Sequence, residues 1–319
     1  MQSRPLFALL LLAFAQADDE PTCLGPFFID GDDAPAYLVS SPANTGGATL
    51  TGSSIELHHN SRFYLARECR LAPDAYASWS LVGRRLSFTA DLNGAGCACN
   101  TAVYLTSLPQ NTLPGTCHGD YYCDATSICG VSCAEVDLME ANTKAFHATA
   151  HIPTDPGGSG GGIGGTQYGS PIRNTLHQYG EGYHRGIDTR HPYQVSIEFQ
   201  PDATSGLLSD IVVSLSQLGG GTATTFSMAR PGYAPYMHQP LSDGMTLVLA
   251  YWSSNDLEWL QGGVCPIGSG NVLACAYAKP TISDLKLEWI TAPPSPPPPP
   301  LLPTLQHSPL PPSLPPCFR

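Results

Sequence analysis

Apolar residues recur at every second position in short runs along the chain. Leu86-Ser-Phe88-Thr-Ala90-Asp-Leu92 and Tyr193-Gln-Val195-Ser-Ile197-Glu-Phe199 are examples, and Met245 to Trp252 and Ile282 to Ile290 are others. A run of that period is a strand with one buried face. Turn formers separate the runs: the 319 residues include 32 Gly and 31 Pro. No long stretch has helical period. Strands without helices to cover them bury their apolar faces sheet against sheet. The expected fold is therefore all-β, with two antiparallel sheets packed face to face between Pro21 and about Ala292. The net charge is −12, and no basic stripe is present that would follow a phosphate backbone. That argues against a nucleic-acid partner.

The two ends read differently. Arg4, the apolar run Leu6 to Phe14 and the small-residue site Ala15-Gln16-Ala17 have the pattern of a secretory signal. Cleavage is expected after Ala17, with Ala15 as the alternative. No other apolar run is of membrane-spanning length. Residues 1–17 are thus read as a signal peptide, 18–292 as one domain, and 293–319 as an extended Pro-rich tail. The expectation is a secreted, extracellular monomer with no membrane attachment after cleavage. The glycine-rich stretch from Pro156 to Gly165 lacks the Gly-Lys-Ser/Thr ending and following helix of a phosphate loop, and is read as a flexible loop beside a cleft.

Secretion also decides how to read the eleven cysteines. Cys97, Cys99, Cys117, Cys123, Cys129 and Cys133 lie close together. In an oxidising compartment disulfides are the default, and paired C-x-x-C units that would suit zinc are absent. The odd total leaves one thiol over, and Cys317 is the expected one.

Just after that cluster comes Glu135-Val-Asp137-Leu-Met-Glu140-Ala141-Asn142, three carboxylates within six positions separated by apolar residues. Period two puts Glu135 and Asp137 on one strand face but sends Glu140 to the other. A bulge between Asp137 and Glu140 returns all three to one side, and bulges are common beside active sites. Two long Glu side chains leaning together then bring their carboxyls to about 5–5.5 Å, the separation used by a retaining glycosidase. The motif alone is equally what a solvated acidic edge strand would show.

With these residues in hand, the chain resembles glycoside hydrolase family 7, the secreted cellobiohydrolases and endoglucanases with a concanavalin-like β-jelly-roll. The family's Glu-x-Asp-x-x-Glu-Ala-Asn is matched from Glu135 to Asn142, and a His eleven residues past the last Glu is matched by His151. Tyr122-Cys123-Asp124 is similar to its Gly-Tyr-Cys-Asp, Ala102 to Leu105 to its Ala-Leu-Tyr-Phe strand, and Arg62 to Leu65 to its Arg-Leu-Tyr-Leu strand. Pro171-Ile-Arg173-Asn174 resembles a substrate-binding loop, Ile187-Asp188-Thr189 its Val-Asp-Thr, and Trp252 and Trp259 its two cleft tryptophans. The likeness covers most of residues 23–290.

The resemblance implies a β-glucan substrate, no cofactor and no metal. It makes Glu135 the nucleophile and Glu140 the general acid/base, an order that spacing does not give. Asp137 would share a proton or hydrogen bond with Glu135. His151 would sit near the acid/base, unless it is a core histidine. Trp252 and Trp259 would be platforms for glucose rings, while Trp79 and Trp289 are read as core or surface aromatics. Tyr104 and Asp124 are read either as cleft residues or as core and structural ones, and Arg173 as a donor to sugar hydroxyls.

Departures from the family pattern are a shorter N-terminal region, a short segment between Cys123 and Glu135, closer spacing of Trp252 and Trp259, and Ala125 in place of a Ser. The last would loosen the hydrogen bonding around the nucleophile. Together they imply an open cleft, a weaker grip on a long chain, and an endo-acting or low-activity enzyme. Two rivals remain: a family 16-type β-1,3- or mixed-linkage glucanase on a similar jelly roll, and a non-catalytic carbohydrate-binding wall protein on the same scaffold.

Overall fold

The computed structural model describes residues 21–117, 119–151, 172–173, 179–182, 186–220, 223–228, 234–261, 264–265 and 272–290. The expected signal peptide, the glycine-rich loop, Cys317 and the Pro-rich tail lie outside the described residues.

Two antiparallel sheets stack face to face, as the alternation requires. The front sheet runs in the order β1 (Thr22–Phe27), β2 (Ala36–Ser40), β5 (Ser61–Ala66), β16 (Thr246–Ser253), β7 (Cys99–Thr106), β8 (Glu135–Ala141), β9 (Ala145–His151) and β10 (Ile172–Arg173). The back sheet runs β15 (Thr224–Ser227), β14 (Leu208–Gln217), β13 (Tyr193–Pro201), β6 (Arg84–Asp91), β17 (Thr281–Trp289), β4 (Ser54–Leu57) and β3 (Ala48–Thr51). A short parallel pair, β11 (Tyr179–Gly180) and β12 (Ile187–Asp188), stands apart. Apolar residues from both inner faces form the core, including Phe63, Val103 and Leu249 in front and Phe88, Ile197 and Leu287 behind.

The four runs singled out above are β6, β13, β16 and β17. Strand β13 shows the expected alternation of buried and partly exposed residues. By contrast, every residue of β7 and β9 is buried. For β7 a second apolar cluster explains this: Val39, Tyr64, Ala102, Tyr104, Val248 and Ala250 lie on the outer face of the front sheet, packed under Leu108, Tyr122 and Cys129 of the segment after β7. Strand β9 instead packs against the helix at Glu258–Gln261, whose Trp259 meets His147.

Ten cysteines form five disulfides among the described residues: Cys23–Cys69, Cys97–Cys265, Cys99–Cys275, Cys117–Cys129 and Cys123–Cys133. The last two close short loops within the covering segment. The all-β expectation holds, with short helices added to it. A ten-residue helix, α1 (Ala234–Asp243), packs beside β14, and two shorter helices, α2 (Glu258–Gln261) and α3 (Val272–Cys275), follow. Only Met237 and Leu241 anchor α1, one i,i+4 pair with Pro240 beside it, so its period is too brief to stand out in the sequence.

Candidate active site

The site is built on the outer face of the front sheet around one irregularity in β8. Asp137 faces Thr149 and Glu140 faces His147 on β9, so Leu138 and Met139 together oppose the single residue between them. On the other side, Tyr104 pairs with Asp137 and Val103 with Met139, leaving Leu138 unpaired. This is the bulge expected from the motif. Its driving force is visible in burial: Val136, Leu138, Met139 and Ala141 all enter the core. Two successive apolar residues turned inward shift the phase of the strand, and Glu140 returns to the face that carries Glu135 and Asp137.

Registers across the sheet then define the rows of this face. One row reads Thr246, Thr106, Glu135, His151; the next reads Tyr64, Val248, Tyr104, Asp137, Thr149. A third reads Arg62, Ala250, Ala102, Glu140, His147, and Trp252 pairs with Asn100 beyond it.

Each carboxylate has its own partner. Glu135 Oε2 accepts a hydrogen bond from the backbone N–H of Ala125 at 2.9 Å. Ala at position 125 therefore still supplies Glu135 with a donor. Ala125 is held there because the Asp124 carbonyl accepts from Cys133 N–H at 3.1 Å, and the Cys123–Cys133 disulfide ties the same turn. Asp137 Oδ2 lies 3.2 Å from His151 Nε2. Glu140 Oε1 accepts from Asn100 Nδ2 at 2.9 Å.

Burial dominates the protonation of all three acids. Glu135 is raised well above the usual carboxylate range by burial, then by the charges of Asp137 and Asp124, while His151 and the Ala125 N–H oppose the shift. Burial and Asp124 push Asp137 up to about 8. Burial and the charge of Asp137 push Glu140 up to about 8, against the Asn100 bond and His151. Glu135 and Asp137 are buried and Glu140 partly so. Acids coupled through Asp137 in this way cannot all ionise together, so the group holds protons at neutral pH. That is the state a proton donor beside an ionisable nucleophile requires.

The remaining expected residues distribute as follows. His151 faces Glu135 in the ladder, and the histidine opposite Glu140 is His147, which the motif did not single out. Tyr104 is buried in the outer cluster with its hydroxyl 2.9 Å from that of Tyr122. Asp124 is buried, and its Oδ1 accepts from Thr126 Oγ1 at 2.9 Å and Ile128 N–H at 3.1 Å, so it shapes the turn that delivers Ala125. Trp252 pairs with Asn100 and is partly buried, and Trp259 on α2 is 43% exposed. Arg173 is on β10 opposite Ala145; its side chain lies outside the described residues. Trp79 is buried and Trp289 exposed, with Arg84 over its ring.

Sequence reasoning missed Asn100, His147 and the hub at Asp120. Asp120 accepts from Tyr64 Oη at 2.6 Å and from Tyr122 N–H at 3.0 Å, its carbonyl accepts from Tyr76 Oη, and Arg62 lies 3.8 Å away. The Arg62 guanidinium stacks 3.7 Å over the Tyr122 ring. A buried Arg paired with Asp and aromatic faces fixes the covering segment to the sheet. Among the described residues, no group of three or more His, Cys, Asp or Glu is placed to hold a metal ion.

The chain is 29% identical over 286 residues to an endoglucanase EG-1 from Hypocrea jecorina, covering 77% of this chain but 59% of that relative's length. The native endocellulase of Humicola insolens superposes with a TM-score of 0.59 at 22% identity, over 76% of this chain and 78% of that one. A GH7 family cellobiohydrolase from Daphnia pulex superposes with a TM-score of 0.54 at 17% identity, over 78% of this chain and 81% of that one. No protein-family model matches the chain. The sandwich is the β-jelly-roll fold of these cellulases, and in sequence the chain is similar to endoglucanases, spanning about three fifths of the length of the relative it matches.

Proposed function

We propose that this chain is a secreted, retaining glycoside hydrolase that cleaves β-1,4-glucosidic bonds of cellulose or a related β-glucan from within the polymer. The observation that carries the proposal is the Leu138–Met139 bulge, which turns Glu135, Asp137 and Glu140 onto one buried face of the front sheet. The cellulase-type fold and the endoglucanase relatives support the same reading.

In the first step the Glu135 carboxylate attacks the anomeric carbon and the glycosidic C–O bond breaks. Glu140 delivers its proton to the departing oxygen, which leaves a glycosyl ester on Glu135. In the second step Glu140, now ionised, takes a proton from water as that water attacks the same carbon, and Glu135 leaves as carboxylate. The Ala125 N–H favours the ionised form of Glu135, and desolvation keeps Glu140 protonated. The Asp137–His151 pair stands between the two functions, within electrostatic reach of both glutamates.

Incubation with cellopentaose, followed by chromatography and NMR of the fresh products, tests this. The expected result is internal cleavage with the β-anomer formed first. Glu140→Gln should lower turnover by about 10²–10⁴-fold and Glu135→Gln at least as much, with the fold intact by circular dichroism. Full activity in either variant ends the assignment. Laminarin or lichenan as the preferred substrate would transfer it to a β-1,3- or mixed-linkage glucanase. Binding of cellulose without any release of reducing ends would leave a carbohydrate-binding protein.

A further inference from the structure

We infer that His147 is a positioning residue for the sugar on the leaving-group side of the cleft, acting through Trp259. This inference rests on the hydrolase reading above for the direction of the cleft. Three observations place His147. It sits opposite Glu140 in the β8–β9 ladder, so its side chain rises on the face that carries the acid. Its ring packs nearly perpendicular to the indole of Trp259, with centroids 5.8 Å apart and planes at 78°. Its Nδ1 is 2.9 Å from Thr149 Oγ1, which fixes the rotation of the imidazole from below.

The surroundings of the two rings differ. His147 is buried, whereas Trp259 is 43% exposed and rides on α2, a helix of a single turn. A one-turn helix has little rigidity of its own. The strand therefore holds the imidazole, and the imidazole holds the indole. An exposed indole face braced from behind is a surface on which the C–H face of a pyranose can stack. Glu140 protonates the departing oxygen in the proposed reaction, so a platform on the Glu140 row meets the departing sugar. A flat ring kept at a fixed angle there costs less ordering on binding than a mobile one.

The test measures cellopentaose binding by calorimetry in the Glu135→Gln background, which reads affinity with or without turnover. His147→Ala should weaken binding by about three- to tenfold, the scale of one aromatic contact. Trp259→Ala should weaken it at least as much, and the double variant no more than Trp259→Ala alone, because His147 acts through the indole. His147→Phe, which keeps a ring against the indole, should restore most of the affinity. In the wild-type background, His147→Ala should raise KM for cellopentaose severalfold while kcat stays within about twofold.

Unaltered affinity in His147→Ala, additive losses in the double variant, or no measurable binding by the parent would each overturn the inference. Turnover by the wild type separately decides whether the chain is a hydrolase.

Discussion

Asn100 shows how much of the chemistry rests on residues that no motif marks. It is buried on β7 and donates to Glu140 Oε1 at 2.9 Å. A donor aimed at a carboxylate favours the charged form. Asn100→Ala removes it, so the carboxyl of Glu140 should hold its proton to higher pH. The expected outcome is an alkaline limb of the pH–rate profile displaced upwards, with kcat lowered severalfold. A limb displaced downwards would show that the amide contacts Glu140 only structurally. Asn100 was unreadable from the sequence because its partner lies on the next strand, and strand register is a property of the folded sheet. The same holds for His147, which is separated from Glu140 by seven positions with nothing local to link them. The three acids were legible for the opposite reason: they share one strand, and only a bulge reconciles their spacing with a common face.

The segment between β7 and β8 is the element that turns a sheet face into a site. Two disulfides, Cys117–Cys129 and Cys123–Cys133, fold it back on itself, and Asp120 ties it to Tyr64, Tyr76 and Arg62 on the sheet side. Replacing Cys123 and Cys133 together by Ser opens a loop of ten-residue separation. Loop-closure entropy predicts a loss of about 3 kcal/mol in stability, to be read by urea denaturation. Activity measured well below the unfolding midpoint should fall further than this accounts for, because Ala125 then loses its fixed place against Glu135. Activity equal to wild type under those conditions would mean the turn holds itself. This element also explains why some strands were easier to read than others. β13 alternates because its outer face meets solvent, whereas β7 and β9 are covered on both sides and lose the alternation. α1 escaped notice because its inward face carries just Met237 and Leu241.

Across the whole molecule, the buried acids set an unusual pH dependence of stability. In the folded chain the coupled group of Glu135, Asp137 and Glu140 keeps protons that the unfolded chain releases near pH 4–4.5, the ordinary range of carboxyl groups. The folded state therefore binds more protons between that range and about pH 8, and stability falls as pH rises through this window, by about 1.4 kcal/mol per pH unit for each proton retained. Asp188 works the other way: its bonds to Arg190 hold it well below the usual carboxylate range, so its contribution is present above pH 4 and is lost as pH falls. Thermal unfolding followed from pH 3 to pH 9 should show a maximum in the acid range and a decline towards pH 8. Glu140→Gln should flatten the alkaline side. A midpoint that climbs between pH 5 and pH 8 would contradict the retention of protons by this group.

The donor that meets Glu135 belongs to the main chain of residue 125, and that has a consequence for how such a protein can change over time. Nineteen of the encoded amino acids carry this N–H, so the identity at 125 is free to drift while the contact persists. Proline is the single replacement that deletes it. Interactions of this kind leave no trace in a comparison of side chains, and a lineage can discard a familiar serine without surrendering what the serine's neighbourhood provided.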